Sequence, residues 1–240
     1  MSLSSSKASS VHKGDAASVG SDKVPIPRGV FAHRRGEAVA DERKVVEFWL
    51  SCGITAESME DANERFSSMP DLQLSRDGIP WACCEVKTIW RHRWTVRILH
   101  EGRTAEERVE ESKASASERI SADLITALRQ LKAGNPTHAL LNIVVLVNRD
   151  AEASLGLLSR VLAPAPKITG RTLPAKRAAM LAKEMQEFRR CVDMCLWTVE
   201  QADGQLAVEG CLLFAAALQE QIANLPGLGF GKQIILDPAA

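Results

Sequence analysis

The sequence predicts an α/β protein in which a mixed central sheet is flanked by helices. Three observations carry this reading: an apolar stripe at helical spacing in Asp41 to Cys52, a hairpin pattern from Pro70 to Trp90, and the nearly continuous apolar run "HALLNIVVLVN" from His138 to Asn148.

In Asp41 to Cys52, Val45, Phe48, Trp49 and Cys52 stand at i, i+3, i+4 and i+7, the spacing of one buried helical face, and Gly53 follows as a C-terminal stop. The next stretch, "TAESMEDANERFSSM" from Thr55 to Met69, predicts a second helix capped by Thr55 and ended by Pro70. A short strand near Asp71 to Ser75, a turn at "RDG" and a longer strand from about Pro80 to Trp90 come next. Residues Gly102 to Ser117 are charged and rich in Ala and Ser, which suits a solvated helix or loop. Ile120, Leu124, Leu128 and Leu131 then share one helical face, with Gly134 as its stop.

The β-branched run to Asn148 has the composition of a central strand covered on both faces. It is followed by a helix near Ala151 to Leu162, a Pro/Gly-rich connection from Ala163 to Pro174 and a helix from Ala175 to about Arg190. A second hairpin around "QADG", a short helix and a loose tail complete the chain. This order of elements implies a mixed α/β layer fold.

At 240 residues the chain is long enough for one full domain with a sizeable core, or one domain plus a tail. Residues 1–24 hold almost no large apolar side chains and are expected to be disordered. Residues 25–150 form the expected core, and 151–240 an α/β extension packed on the same domain. Lys plus Arg and Asp plus Glu balance at 30 each, so nothing in the net charge favours a polyanionic partner, and any nucleic-acid surface must be a local patch. The longest apolar run is about half the roughly 20 residues of a membrane span. The start, "MSLSSSKASS", lacks the apolar core of a signal peptide, so a cytoplasmic location is expected. The six cysteines form no paired CxxC sets and are expected to be reduced core residues.

Charges in the predicted hairpin need a reason. "WACC" and "VKTIW" supply apolar residues to both faces of a strand that also carries Glu85 and Lys87, and Asp71 stands on the partner strand. If Arg76, Asp77 and Gly78 form a three-residue loop, Asp71 falls opposite Cys83 and shares a face with Glu85 and Lys87. A two-residue Asp-Gly turn shifts the register by one and puts Asp71 on the other face. In the first register two carboxylates and an ammonium converge. Such a pair repels unless a cation sits between its members, and its oxygen ligands suit Mg²⁺ or Mn²⁺.

"PD" at Pro70-Asp71, thirteen residues, and "EVK" at Glu85 to Lys87 resemble the PD-(D/E)XK nuclease superfamily, which has the restriction-endonuclease-like fold. The context of an upstream helix, a hairpin carrying the motif, then a helix and an apolar strand is similar to that superfamily's αβββαβ core, and it covers roughly Glu37 to Asp150. The resemblance implies a divalent-metal-dependent nuclease that hydrolyses DNA phosphodiesters. Asp71 and Glu85 would be the metal ligands and Lys87 the catalytic lysine, with RNA an alternative substrate. Many members add a glutamate from the first helix. Glu42, between Val46 and Trp49 near the helix start, is preferred to Glu47, which lies on the polar side with Arg43 and Lys44. A helix residue after the motif sometimes contributes, and Gln130 or Lys132 could do so, although solvent exposure is the simpler reading of both.

"WRHRWTVR" from Trp90 to Arg97 interleaves Trp and Arg, which could track phosphates and stack bases, though a half-buried strand gives the same alternation. Arg171, Lys176, Arg177, Lys183, Arg189 and Arg190 are offset by Glu184 and Glu187, as on an ordinary exposed helix face. "GLGFGKQ" lacks P-loop spacing, and Ser-His-Asp and zinc arrangements have no spacing support. A homodimer is compatible with the C-terminal 90 residues. The alternative to an enzyme is a non-catalytic protein of the same fold, an interaction or assembly module whose charges form a structural ion cluster.

Overall fold

The computed structural model describes residues 28–59, 69–90, 104–163, 174–214, 218–223, 225 and 232–235. Among them, helices α1 (Arg28–Ser51), α2 (Ala105–Gly134), α3 (Leu155–Val161), α4 (Ala175–Cys191) and α5 (Leu218–Ala223) surround strands β1 (Thr55–Ser58), β2 (Leu72–Arg76), β3 (Ile79–Ile89), β4 (Leu141–Asn148), β5 (Met194–Glu200), β6 (Leu206–Leu213) and β7 (Lys232–Ile235). The expected disordered tail, the stretch 91–100 that includes His92, and most of the 163–174 connection lie outside the described residues.

The strands form one mixed sheet in chain order, β1 to β7. Strands β1, β2 and β3 are antiparallel neighbours, and β3 pairs with β4 in parallel. Strand β5 continues the sheet parallel to β4, β6 returns antiparallel and β7 lies parallel to β6. The helix α2 makes the β3 to β4 crossover, as parallel pairing requires.

Alternation in the strands sorts the core into two layers. Cys83, Val144, Leu146, Cys195 and Trp197 meet Ile120, Leu124 and Leu131 of α2 together with α3 and α4. Leu72, Leu74, Cys84, Ile143, Val145 and Leu196 meet Val45, Phe48 and Trp49 of α1 on the opposite face. Residues Ile143 to Val147 of β4 are all fully buried, which explains the unbroken β-branched composition, and each such side chain contributes about 1.5–3 kcal/mol.

Three expectations change and one is narrowed. The Thr55 to Met69 stretch is not a helix at its start, because Thr55–Ser58 pairs with Leu72 to Ser75 as β1, and residues 60–68 lie outside the described set. The charged segment before Ser117 belongs to the same helix as Ile120 to Leu131. The tail carries a further strand, β7. Arg189 is buried instead of exposed, and its Nη1 donates to the carbonyls of Leu162 and Ala163 at 2.8 and 3.1 Å, tying α4 to the end of α3.

The six cysteines are unpaired, five buried and Cys191 half-buried. Among the described residues no helix is long and apolar enough to cross a membrane.

Candidate metal centre between the hairpin and the second helix

The hairpin turn has two residues. Arg76 pairs with Ile79 across Asp77 and Gly78, whose φ angles of 54° and 76° are those an Asp-Gly turn of this length needs. The three-residue loop considered from the sequence is therefore absent. With that turn alone, Asp71 would face away from Glu85.

A bulge reverses this. Ser75 pairs with Pro80 but Leu74 pairs with Ala82, so Trp81 is an extra residue on β3 and the register moves by one. Pro80, which has no N–H to give a ladder, sits at the irregularity. Trp81 packs edge-on against Trp49 of α1, with ring centroids 6.2 Å apart, a contact that holds the bulge in place. Beyond it Leu72 pairs with Cys84, and one further step sets Asp71 directly across from Glu85.

The backbone locks the pair. Val86 N–H donates to Asp71 Oδ2 at 2.7 Å, and Asp71 N–H donates to Glu85 Oε2 at 3.2 Å. Met59 N–H donates to the Asp71 carbonyl at 2.9 Å, anchoring the residue to the end of β1 as well. Lys87 Nζ contacts Glu85 Oε1 and donates to Gln130 Oε1 on α2 at 2.9 Å. Gln130 in turn donates from Nε2 to the Met69 carbonyl at 3.3 Å. Gly134, one turn on, lets α2 approach: a Cβ there would lie 2.7 Å from Pro70 Cγ, inside contact distance. Gln130 and Gly134 thus seat the Pro70-Asp71 corner against α2.

This site is short of positive charge. The Glu85 side chain is fully buried and the Lys87 side chain is 18 % exposed. Burial, then the neighbouring Asp71 carboxylate, pushes the Glu85 carboxyl up to about 8 against the pull of Lys87. Burial also raises Asp71, although Lys87 and the Val86 N–H favour its ionised form. Half-buried Asp123 on α2 is pushed up to about 6 by burial, with Lys87 and Arg119 acting the other way. Lys87 is thus the cation shared by Asp71 and Glu85, and Asp123 feels it together with Arg119.

Helix α1 covers the other face of the sheet, and it brings Asp41 to β3. Asp41 is fully buried and accepts from Thr88 Oγ1 at 2.9 Å and from Arg149 Nε at 3.0 Å, with Arg149 Nη2 in contact as well. Arg149 Nη1 also reaches Glu200 Oε2 at 2.7 Å, Lys44 pairs with Glu200 at 2.6 Å, and the Arg149 guanidinium lies 5.5 Å from the Trp90 ring centre.

The structure therefore brings Asp71, Glu85 and Lys87 together and adds Gln130. Glu42 is half-buried on α1, the helix on the opposite face, while Glu47 and Lys132 are exposed. Lys132 is engaged by Glu187. Asp123 and Asp41 were not singled out from the sequence. Asp41 could have been found by extending the stripe Val45, Phe48, Trp49, Cys52 one turn back, and Asp123 by its placement seven residues before Gln130.

Two carboxylates fixed across a β-pair, with negative charge in excess, suit a hard divalent cation that takes oxygen ligands. Among the described residues no group of three or more His, Cys, Asp or Glu side chains is placed to hold a metal ion. Comparisons with protein-family models, with curated proteins and with solved structures found no match.

Proposed function

We propose that the chain is a divalent-metal-dependent nuclease of the PD-(D/E)XK, restriction-endonuclease-like kind, hydrolysing DNA phosphodiesters at Asp71, Glu85 and Lys87. The observation that carries this reading is the direct pairing of Asp71 with Glu85, in surroundings that leave their charge under-compensated. The order α1, β1 to β3, α2, β4 supports it, being similar to the αβββαβ order of that superfamily.

In this reading Asp71 and Glu85 would hold Mg²⁺ or Mn²⁺. A cation there supplies Lewis acidity toward the scissile phosphate and lowers the pKa of a bound water. Asp71 is oriented by the Val86 N–H and Glu85 by the Asp71 N–H, so neither ligand needs to reorganise. Lys87 offers a positive charge where negative charge develops, and Gln130 aims it.

A second reading has its own support: Glu85 is already in contact with Lys87, and the carboxylates form no three-member ligand group among the described residues. In that case the charges are a structural cluster of a non-catalytic interaction module.

Assays with Mg²⁺ or Mn²⁺ on linear, nicked and branched DNA, with RNA in parallel, separate the two. The nuclease reading expects cleavage that falls about a thousandfold in Asp71→Ala and Lys87→Ala proteins. Cleavage unchanged by both substitutions, or none on any substrate, contradicts it.

A further inference from the structure

We infer that Asp123 is the positioning residue for Lys87: it receives the ammonium when Glu85 is occupied by a divalent cation. This inference rests on the metal-site reading above and adds to it a partner exchange by the lysine.

Lys87 has a conflict built into its position. It contacts Glu85, the same carboxylate that would hold the cation. A cation held by Glu85 would repel the ammonium beside it, and an anion within reach would offset that repulsion. Gln130 can keep hold of Nζ but supplies no charge.

Asp123 meets that need. Asp123, Ala127, Gln130 and Gly134 stand at i, i+4, i+7 and i+11 on α2, one stripe of a helix. The far end of that stripe abuts Pro70 and its middle binds Lys87. Asp123 is half-buried and makes no hydrogen bond or ion pair with a described residue, while its charge is felt by Lys87 and Arg119. Arg119 is engaged by Asp150, so Lys87 is the cation with a reason to move. Ala127, between the two polar residues, is fully buried in the core and offers the flexible lysine no competing polar group. Asp123 does not join Asp71 and Glu85 in a three-member ligand group, so it acts through the lysine and not on the metal.

Calorimetric titration of the whole chain with MnCl₂ alone tests this. Asp123→Asn is expected to weaken Mn²⁺ binding about fivefold, the scale of one lost ion pair, and Asp123→Glu to keep it within about twofold. In a Lys87→Met background Asp123→Asn should change affinity by less than about twofold, because there is no ammonium to receive. Asp123→Ser, which also removes the charge, replaces Asp123→Asn if circular dichroism shows that the latter does not fold. Unchanged affinity in Asp123→Asn overturns the inference, as does an equal loss in both backgrounds, which would make Asp123 a direct or long-range contributor. Failure of the metal reading looks different: the wild type then takes up no Mn²⁺, or Asp71→Asn binds it as well as wild type, and the inference falls with it.

Discussion

Strand β3 sends Glu85 and Lys87 to one face of the sheet and Thr88 to the other, and each face receives a cluster of buried charge. On the α1 face, Asp41 is met by the Arg149 fork and the Thr88 hydroxyl, and Arg149 by Asp41 and Glu200 together. Donors match acceptors there, and the partnership with Asp41 and Glu200 holds Arg149 more firmly protonated than usual. On the α2 face, burial raises the proton affinities of Asp71, Glu85 and Asp123, and Lys87, joined by Arg119 at Asp123, offsets it only in part. Both clusters violate the preference for apolar interiors, and the one on the α2 face is the cluster proposed to take a cation. Balance, more than burial, distinguishes a structural ion cluster from a candidate site.

The largest stability effect should come from unbalancing the balanced cluster. Arg149→Met leaves Asp41 buried with one hydroxyl donor, and urea unfolding should show a loss of about 3–4 kcal/mol. A loss below about 1 kcal/mol would mean that Asp41 finds water or a new partner.

A smaller effect of opposite sense is expected on the other face. The folded protein keeps a proton on Glu85 up to about pH 8, whereas an unfolded glutamate loses it near 4.5. Between those values the folded state binds more protons, so stability falls as pH rises, by roughly 1–3 kcal/mol across the window. Raised Asp71 and Asp123 act in the same direction, while the depressed carboxyls of Glu187 and Glu200 matter only below it. Glu85→Gln should flatten the metal-free stability profile between pH 5 and 8; a profile as steep as wild type would place the titration elsewhere.

The two faces also differ in how legible they were. Strong periodicity exposed the second half of α1 and the apolar face of α2, and a continuous apolar run exposed β4, because burial imposes a pattern on a long element. Strands β1 and β7 carry no such pattern. In "TAES" only Ala56 is even half-buried, so the segment is a strand because β2 offers it an edge, and its local preference for a helix start is overridden. The residue types of the site were readable as PD…ExK, but its geometry was not. Side-chain parity gave the right question, the face on which Asp71 lies, and the decisive element was a bulge at Trp81 that no turn-length rule contains. Gln130 read most simply as an exposed helix residue and Asp123 carried no signal of its own, since Lys87 on β3 comes near them only once α2 is docked.

The central claim is that Asp71 and Glu85 form a cation-deficient pair that a divalent ion completes. Thermal unfolding at pH 8 with and without Mg²⁺ or Mn²⁺, in wild type, Asp71→Asn and Glu85→Gln, tests it most directly. At a cation concentration about a hundredfold above its dissociation constant, the wild type should gain about 2.7 kcal/mol, a rise of several degrees in Tm, and both variants should gain almost nothing. No gain in the wild type, or the same gain in all three proteins, would contradict the claim.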